Sequence, residues 1–283
     1  MHPILFTIPG LHLPVRAYGT LLVAGFLVGL WRAMRLCRRR MVAEPEDSPR
    51  RIHPDAIFDL GIMGLLVGLA GARLTFVILD WANFVHHPVD ALKIWSGGLT
   101  LQGGMLFGIL YMIVFCRRKK LSLLAVGDVG APAWAIAYTI GRFGCLFNGC
   151  CYGGVCDLPW GMRFPDEQHP GLLTPPSHPT QIYASIFNLA FFFILLWWER
   201  RPRRDGELFF GYIAMYGFYR FIVESFRVGA TASLIAGTGL TLTHIVSAMM
   251  VILGVTAIVL LHKRRPAYSD AALPSSPTSP ATV

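Results

Sequence analysis

The chain has 283 residues, 54% of them hydrophobic and only 14% charged, and its mean hydropathy is +0.53. Such a composition excludes an ordinary soluble globular domain and describes a chain whose solvent is largely lipid. The formal net charge is +9, but the cations cluster in short segments between apolar runs, which points to anionic lipid headgroups as their partner and away from nucleic acid.

Apolar runs near the ~20 residues that cross a bilayer fall at 17–36, 56–79, 97–116, 121–141, 180–198, 207–225 and 241–262. They predict an all-α membrane protein with about seven transmembrane helices, of which the third, fourth and sixth carry the weakest apolar pattern. No segment joins a short apolar core to a small-residue cleavage site, so the first run reads as a retained span. Basic residues then alternate. Arg32, Arg35, Arg38, Arg39, Arg40, Arg50 and Arg51 lie from the end of the first run to the second; Arg117, Arg118, Lys119 and Lys120 follow the third; Arg200, Arg201, Arg203 and Arg204 the fifth; Lys263, Arg264 and Arg265 the seventh. These are eighteen of the 25 cations, all on alternate loops. Because Lys and Arg in short loops resist translocation, the N-terminus is placed outside and the C-terminus in the cytoplasm. The expected organisation is a membrane domain over residues 1–265, followed by a disordered cytoplasmic tail, 266–283, made of Pro, Ser, Thr and Ala.

Seven cations remain for the outer side or for nearby helix ends: Arg16, Arg73, Lys93, Arg142, Arg163, Arg220 and Arg227. A charge at a helix centre costs about 2.5–3.5 kcal/mol on insertion scales, so such residues pair or bind an anion unless they reach the interface. For Arg16 and Lys93 the interface is the simpler reading; for Arg142 and Arg220, flanked by small or aromatic residues, a phosphate is. Two outer segments exceed simple turns. The aromatic stretch 80–97 suits a short interfacial helix. The stretch 149–178 is too rich in Gly and Pro for regular structure and too long for a plain connection.

Before it runs "GRFGCLFNGCCYGG", residues 141–154, expected to be a glycine-rich loop carrying Arg142. Four cysteines fall on this outer side: Cys145, Cys150, Cys151 and Cys156. An oxidising compartment points to one or two disulfides, with Cys145 or Cys150 to Cys156 easier than a bridge between adjacent Cys150 and Cys151. Packed thiols and a redox or metal role stay open, although the spacing lacks the paired C-x2-C knuckles of zinc sites, and no metal is expected.

Further motifs occur in order: Tyr18-Gly19, Gly71-Ala72-Arg73, Gly97-Gly98, Gly103-Gly104, "HPTQIY" at 178–183 and "YGFYRFIVESFR" at 216–227. With the 141–153 stretch they resemble the prolipoprotein diacylglyceryl transferase family of the bacterial cytoplasmic membrane, over residues 14–262. The family signature G-R-x-G-N-F-x-N-x-E-x-x-G is kept at Gly141, Arg142, Gly144, Asn148 and Gly153, and departs at Cys145 and Cys150. The resemblance implies transfer of the diacylglyceryl group of phosphatidylglycerol to the lipobox cysteine of a preprolipoprotein, with no cofactor and an active site facing outward. It implies catalytic roles for Arg142 and Arg220, with Gln102 where the family commonly has a histidine. It also implies substrate contacts for Tyr18, Asn148, Glu224, Arg227, Gly98 and His178. Arg220, Glu224 and Arg227 share one helical face, so an internal ion pair of Glu224 with Arg227 stands beside that role. Glutamine takes up no proton near pH 7. Other classes therefore stay open: a paralogue with another donor, a lipid-binding protein without turnover, and a thiol oxidoreductase, although the last would want an exchanging C-x-x-C pair that is missing.

Overall fold

The computed structural model describes residues 4–8, 13–85, 88–93, 98–166, 171–201, 204–227 and 241–264. The expected tail, 266–283, lies outside these, as do 86–87 and 94–97 of the arm and 167–170 of the long outer segment. One element was not expected: a two-stranded antiparallel hairpin, β1 (Ile4–Ile8) and β2 (Leu13–Arg16), pairs Ile8 with Leu13 and carries an irregularity between Ile4 and Phe6. Every other regular element among the described residues is helical.

In chain order the helices are α1 (Ala17–Ala43), α2 (Pro54–Leu79), the single turn α3 (Trp81–Phe84), α4 (Leu101–Arg118), α5 (Leu123–Asn148), α6 (Thr180–Glu199), α7 (Glu207–Ser225) and α8 (Leu242–Arg264), with a 3-10 turn at Pro88–Leu92. Among the described residues five of these, α1, α2, α5, α6 and α8, are long and apolar enough to cross a membrane, the make-up of a multi-pass membrane protein. Helix α4 has 18 residues and ends on Arg117 and Arg118; α7 has 19 and carries Glu207, Arg220 and Glu224. These two are shorter than the other long helices. Local chemistry sets the ends. At α2 the His53 ring accepts from the Asp55 N–H at 3.3 Å, Pro54 occupies the first turn and Asp55 faces the positive helix end.

The described residues divide into two compact units, one using the chain up to Ala33 and again from Gly127, the other Met34–Val126. In the first, Ala131 and Ala135 of α5, Ala184, Phe191 and Leu195 of α6, and Leu208, Tyr212, Tyr219 and Val223 of α7 form the core. Polar bonds hold these apolar helices in register, as expected where apolar burial alone discriminates little between helix faces. Tyr212 donates to Asn188 Oδ1 at 2.9 Å, and Arg32 meets Glu199 at 2.5 Å. Asp128, 0% exposed, accepts from the N–H groups of Gly206 and Phe209 at 2.8 and 2.9 Å. It thereby caps the start of α7 from α5. Small residues let α1 approach α5: a Cβ on Gly29 would stand 2.7 Å from the Ala133 carbonyl oxygen.

In the second unit α2 packs on α4, and Arg73, only 7% exposed, binds the arm. Its guanidinium donates to the carbonyls of Ala91 at 2.9 Å, Gly98 at 3.0 Å and Asp90 at 2.5 Å, and lies 5.4 Å from the Phe84 ring centroid. The cation thus serves internal carbonyls. Lys93 pairs with Asp90 at 2.6 Å on the surface. Gly98, expected to contact substrate, is the turn this arrangement requires: its φ is +72°, and a Cβ there would stand 2.5 Å from the Phe76 ring.

The Asp128 cap generates a stability test. Asp128→Ala strands two N–H groups in a dry place, and we expect a loss of about 1–3 kcal/mol, seen as a lower thermal midpoint in detergent. Asp128→Asn keeps one acceptor oxygen and should recover part of it; an unchanged midpoint for the alanine variant would exclude the anchoring role.

Candidate active site

Residues 141–148 are not a loop. They form the last two turns of α5, and the helix stops only at Gly149, whose φ is +74°. Glycines that looked like loop formers are tolerated because tertiary packing replaces what they lack in helix propensity: a Cβ on buried Gly144 would lie 3.3 Å from the Tyr18 Cα, so α1 enters closely against this turn. The helical phase then sets Arg142 one turn beyond Tyr138. Its guanidinium lies over the Tyr138 ring, 4.8 Å from the centroid, and its Nη2 donates to the Tyr138 hydroxyl. Tyr138 is its sole hydrogen-bond partner among the described residues, which leaves the rest of the fork for a ligand.

From α7 comes the facing half. The Tyr138 and Tyr219 hydroxyls are 3.4 Å apart, and Tyr216 stands edge-on to Tyr138 with centroids at 5.7 Å. Arg220 follows Tyr219 in the chain, and both guanidiniums, those of Arg142 and Arg220, act electrostatically on the Tyr216 and Tyr219 hydroxyls. The structure therefore brings the two expected arginines to one tyrosine cluster. Arg220, not Arg227, is the partner of Glu224: Nη1 meets Oε2 at 2.7 Å, with the side chains 18% and 1% exposed. Thr241 adds a donor to Glu224 Oε1 at 3.4 Å. The Arg227 Nε is buried without a hydrogen-bond partner among the described residues.

Beyond α5 the backbone reverses. Gly149 and Cys151 both take left-handed conformations, φ +74° and +68°, and the Cys150 N–H bonds back to the Cys145 carbonyl at 3.2 Å. The Sγ atoms of Cys145, Cys150 and Cys151 consequently lie within 4.8 Å of one another, with Cys151 to Cys150 at 3.3 Å. Hydrogen bonds from the Cys145 and Cys151 thiols, helped by the Asn148 amide, hold the Cys150 thiol well below the ordinary cysteine range. Helix α6 fixes the turn: Gln181, fully buried, donates to the Cys150 carbonyl at 2.6 Å, and Thr180 to the Cys151 carbonyl at 2.8 Å.

All six cysteines are free thiols. The bridges that spacing favoured, from Cys145 or Cys150 to Cys156, are not formed, because the Cys156 N–H bonds the Pro176 carbonyl at 2.8 Å and draws that residue into the outer segment's own interior. Tyr18, 41% exposed at the head of α1, stands in electrostatic reach of Arg142 and of the three clustered thiols. His178 packs inward: Nδ1 lies 3.3 Å from the Tyr183 hydroxyl and the ring 4.9 Å from Phe226. Its backbone clasps Gly153, where a Cβ would stand 2.9 Å from both the His178 Cβ and the Thr180 Cγ2. Gln102 is exposed in the first turn of α4 and, like Gly98, belongs to the other unit. Sequence reasoning missed Tyr138, Tyr216 and Tyr219, although Tyr138 lies four residues before Arg142; it also passed over Gln181 and Thr180, whose roles exist only once α6 meets the turn.

Comparison with known proteins bears on the chain as a whole. The family model described as prolipoprotein diacylglyceryl transferase matches residues 3–260. A phosphatidylglycerol–prolipoprotein diacylglyceryl transferase of Thermosynechococcus vestitus is 34% identical over 85% of this chain and 86% of its own. Proteins of the same name from Geobacter sulfurreducens, 34% identical over 90% and 94%, and from Chloroflexus aggregans, 32% over 97% and 94%, are similar at comparable length. Near-complete coverage of both chains, with Arg142 and Arg220 drawn to one tyrosine cluster, leads to the conclusion that this chain belongs to the prolipoprotein diacylglyceryl transferase family.

Proposed function

We propose that this chain transfers the diacylglyceryl group of phosphatidylglycerol to the lipobox cysteine thiol of preprolipoproteins, releasing glycerol phosphate. The observation that carries the reading is the half-buried Arg142, oriented by Tyr138 with most of its fork uncommitted, beside the partly neutralised Arg220. Attack by sulfur breaks the bond between the glyceryl carbon and a phosphate oxygen, and the departing phosphate gains negative charge. A preorganised guanidinium in a site of low dielectric binds that charge more strongly as it develops, which lowers the barrier and not merely the binding energy. Arg142 offers two parallel donors to one phosphate group, which an ammonium cannot. The Glu224 carboxylate fixes Arg220, and Tyr18 and Asn148 border the approach to Arg142 and the thiols. The enzyme spans the bacterial cytoplasmic membrane seven times, with α4 and α7 completing the set of spans, the N-terminus and active site outward, and the C-terminus inside.

Topology is testable with reporter fusions: an externally active reporter should work after residue 165 and stay silent after 120 and 204. Activity after 204 would put the Arg142 end of α5 in the wrong compartment.

For the chemistry, purified variants would be incubated with labelled phosphatidylglycerol and a lipobox peptide and the product weighed. Arg142→Ala and Arg142→Lys should both lower turnover by about 100- to 1000-fold, lysine nearly as much as alanine, while Gln102→Ala costs less. A correctly folded Arg142→Ala protein that transfers at the unaltered rate would reduce Arg142 to a structural anchor.

A further inference from the structure

The three clustered thiols are unusually well supported for residues without an assigned task. Two left-handed positions on either side of Cys150, Gly149 and the non-glycine Cys151, turn the sulfurs toward one another. A buried glutamine and a buried threonine fix the carbonyls of that turn, and the Asn148 amide reaches the Cys150 sulfur. The cluster also stands in electrostatic reach of Arg142 and Tyr18, where the reacting groups of the transfer reaction would meet.

Three thiolates bound at ~2.3 Å to one tetrahedral cation hold their sulfurs ~3.8 Å apart, and the sulfurs here already lie within 4.8 Å of each other, the nearest pair at 3.3 Å. An all-sulfur ligand set selects a thiophilic cation over magnesium or calcium. Among the described residues the set has three protein ligands and not four, which leaves the open position of a reactive centre. We propose that Cys145, Cys150 and Cys151 form a three-thiolate site for a zinc-type cation, whose fourth position takes the thiol to be alkylated.

The second half of this rests on the transferase reading given above. A coordinated thiol is deprotonated outright, which supplies the thiolate in a chain that has Gln102 in place of a titratable side chain. The thiol proton is released to solvent as the sulfur binds. One sulfur electron pair then forms the carbon–sulfur bond, the carbon–oxygen bond to phosphate breaks, and its electron pair leaves on glycerol phosphate beside Arg142. Nothing is oxidised or reduced. The guanidinium also offsets the negative charge of three thiolates on a divalent cation.

Cobalt(II) is the probe. Full-length reduced protein, purified without a histidine tag, should bind one Co²⁺ per chain with intense thiolate-to-cobalt absorption. Cys145→Ser, Cys150→Ser and Cys151→Ser should each weaken binding at least about tenfold, as should Gln181→Ala through the supporting shell, whereas Cys156→Ala should not. A lipobox peptide should add a fourth thiolate band, and its serine version should not. Absence of saturable binding, binding indifferent to these serines, a spectrum blind to the peptide, or a Cys150–Cys151 disulfide recovered from native membranes would overturn the site. Activity separates the two readings. If chelator-stripped protein transfers at the rate of zinc-loaded protein, the metal proposal fails and the transferase stands; if loaded protein binds peptide thiolate but forms no thioether, the transferase reading fails and the site stands.

Discussion

Holding a guanidinium inside an apolar chain is the constraint on which the rest of this structure depends. Arg142 lies two turns from the end of a helix that is long and apolar enough to cross a membrane, where an uncompensated charge is costly. The chain meets that cost with polarisable and polar tyrosine surface and, among the described residues, with no formal counter-ion: the Tyr138 ring under the guanidinium, its hydroxyl accepting a hydrogen bond, and Tyr219 and Tyr216 behind it. A carboxylate in that place would have consumed the fork. Arg220 shows the contrast, because Glu224 at 2.7 Å takes up much of its charge. One arginine is structurally closed and the other left open toward a ligand, and this asymmetry is what makes the pair useful for recognising a phosphate.

The same economy governs the scaffold. In water, apolar burial would drive helix association; between helices with outward apolar faces it discriminates poorly, so register falls to a few polar bonds and close backbone contacts. Asp128 ties the start of α7 to α5 and Arg32 ties α1 to Glu199 at the end of α6. Gly29 and Gly144 bring α1 against α5. These contacts place Tyr18, Tyr138 and Arg142 together, so residues distant from the chemistry set the geometry that the chemistry uses. Arg73 does comparable work in the other unit, where three carbonyls of the arm converge on one planar fork.

Cys145 and Cys150 stand where the signature that the sequence resembles has asparagine and glutamate, and Gln102 where the resemblance leads one to expect a histidine. Taken singly, each change removes a polar function. Taken together with Cys151 they assemble three sulfurs at one turn, the arrangement on which the proposed thiophilic-cation site rests.

Much was legible from sequence because the forces involved are local. Apolar runs located every long helix, most ends within a few residues, since the length of chain that can satisfy its own backbone in an apolar medium is set by composition. Arg142 and Arg220 stood out for the same reason: a charge in an oily segment carries its cost wherever the chain folds. What sequence misjudged depends on neighbours distant in the chain. Gly141 and Gly144 read as loop formers, yet they are helical because α1 packs on that turn. Cys156 was the expected disulfide partner by spacing, but its backbone is held at Pro176 while Gln181 and Thr180 turn Cys150 and Cys151 toward Cys145. Sequence by itself determined which residues had to be explained, because burial energies attach to residue types; only the tertiary structure decided which of them meet, because hydrogen bonds and sulfur–sulfur contacts act over a few ångströms and are set by how helices pack.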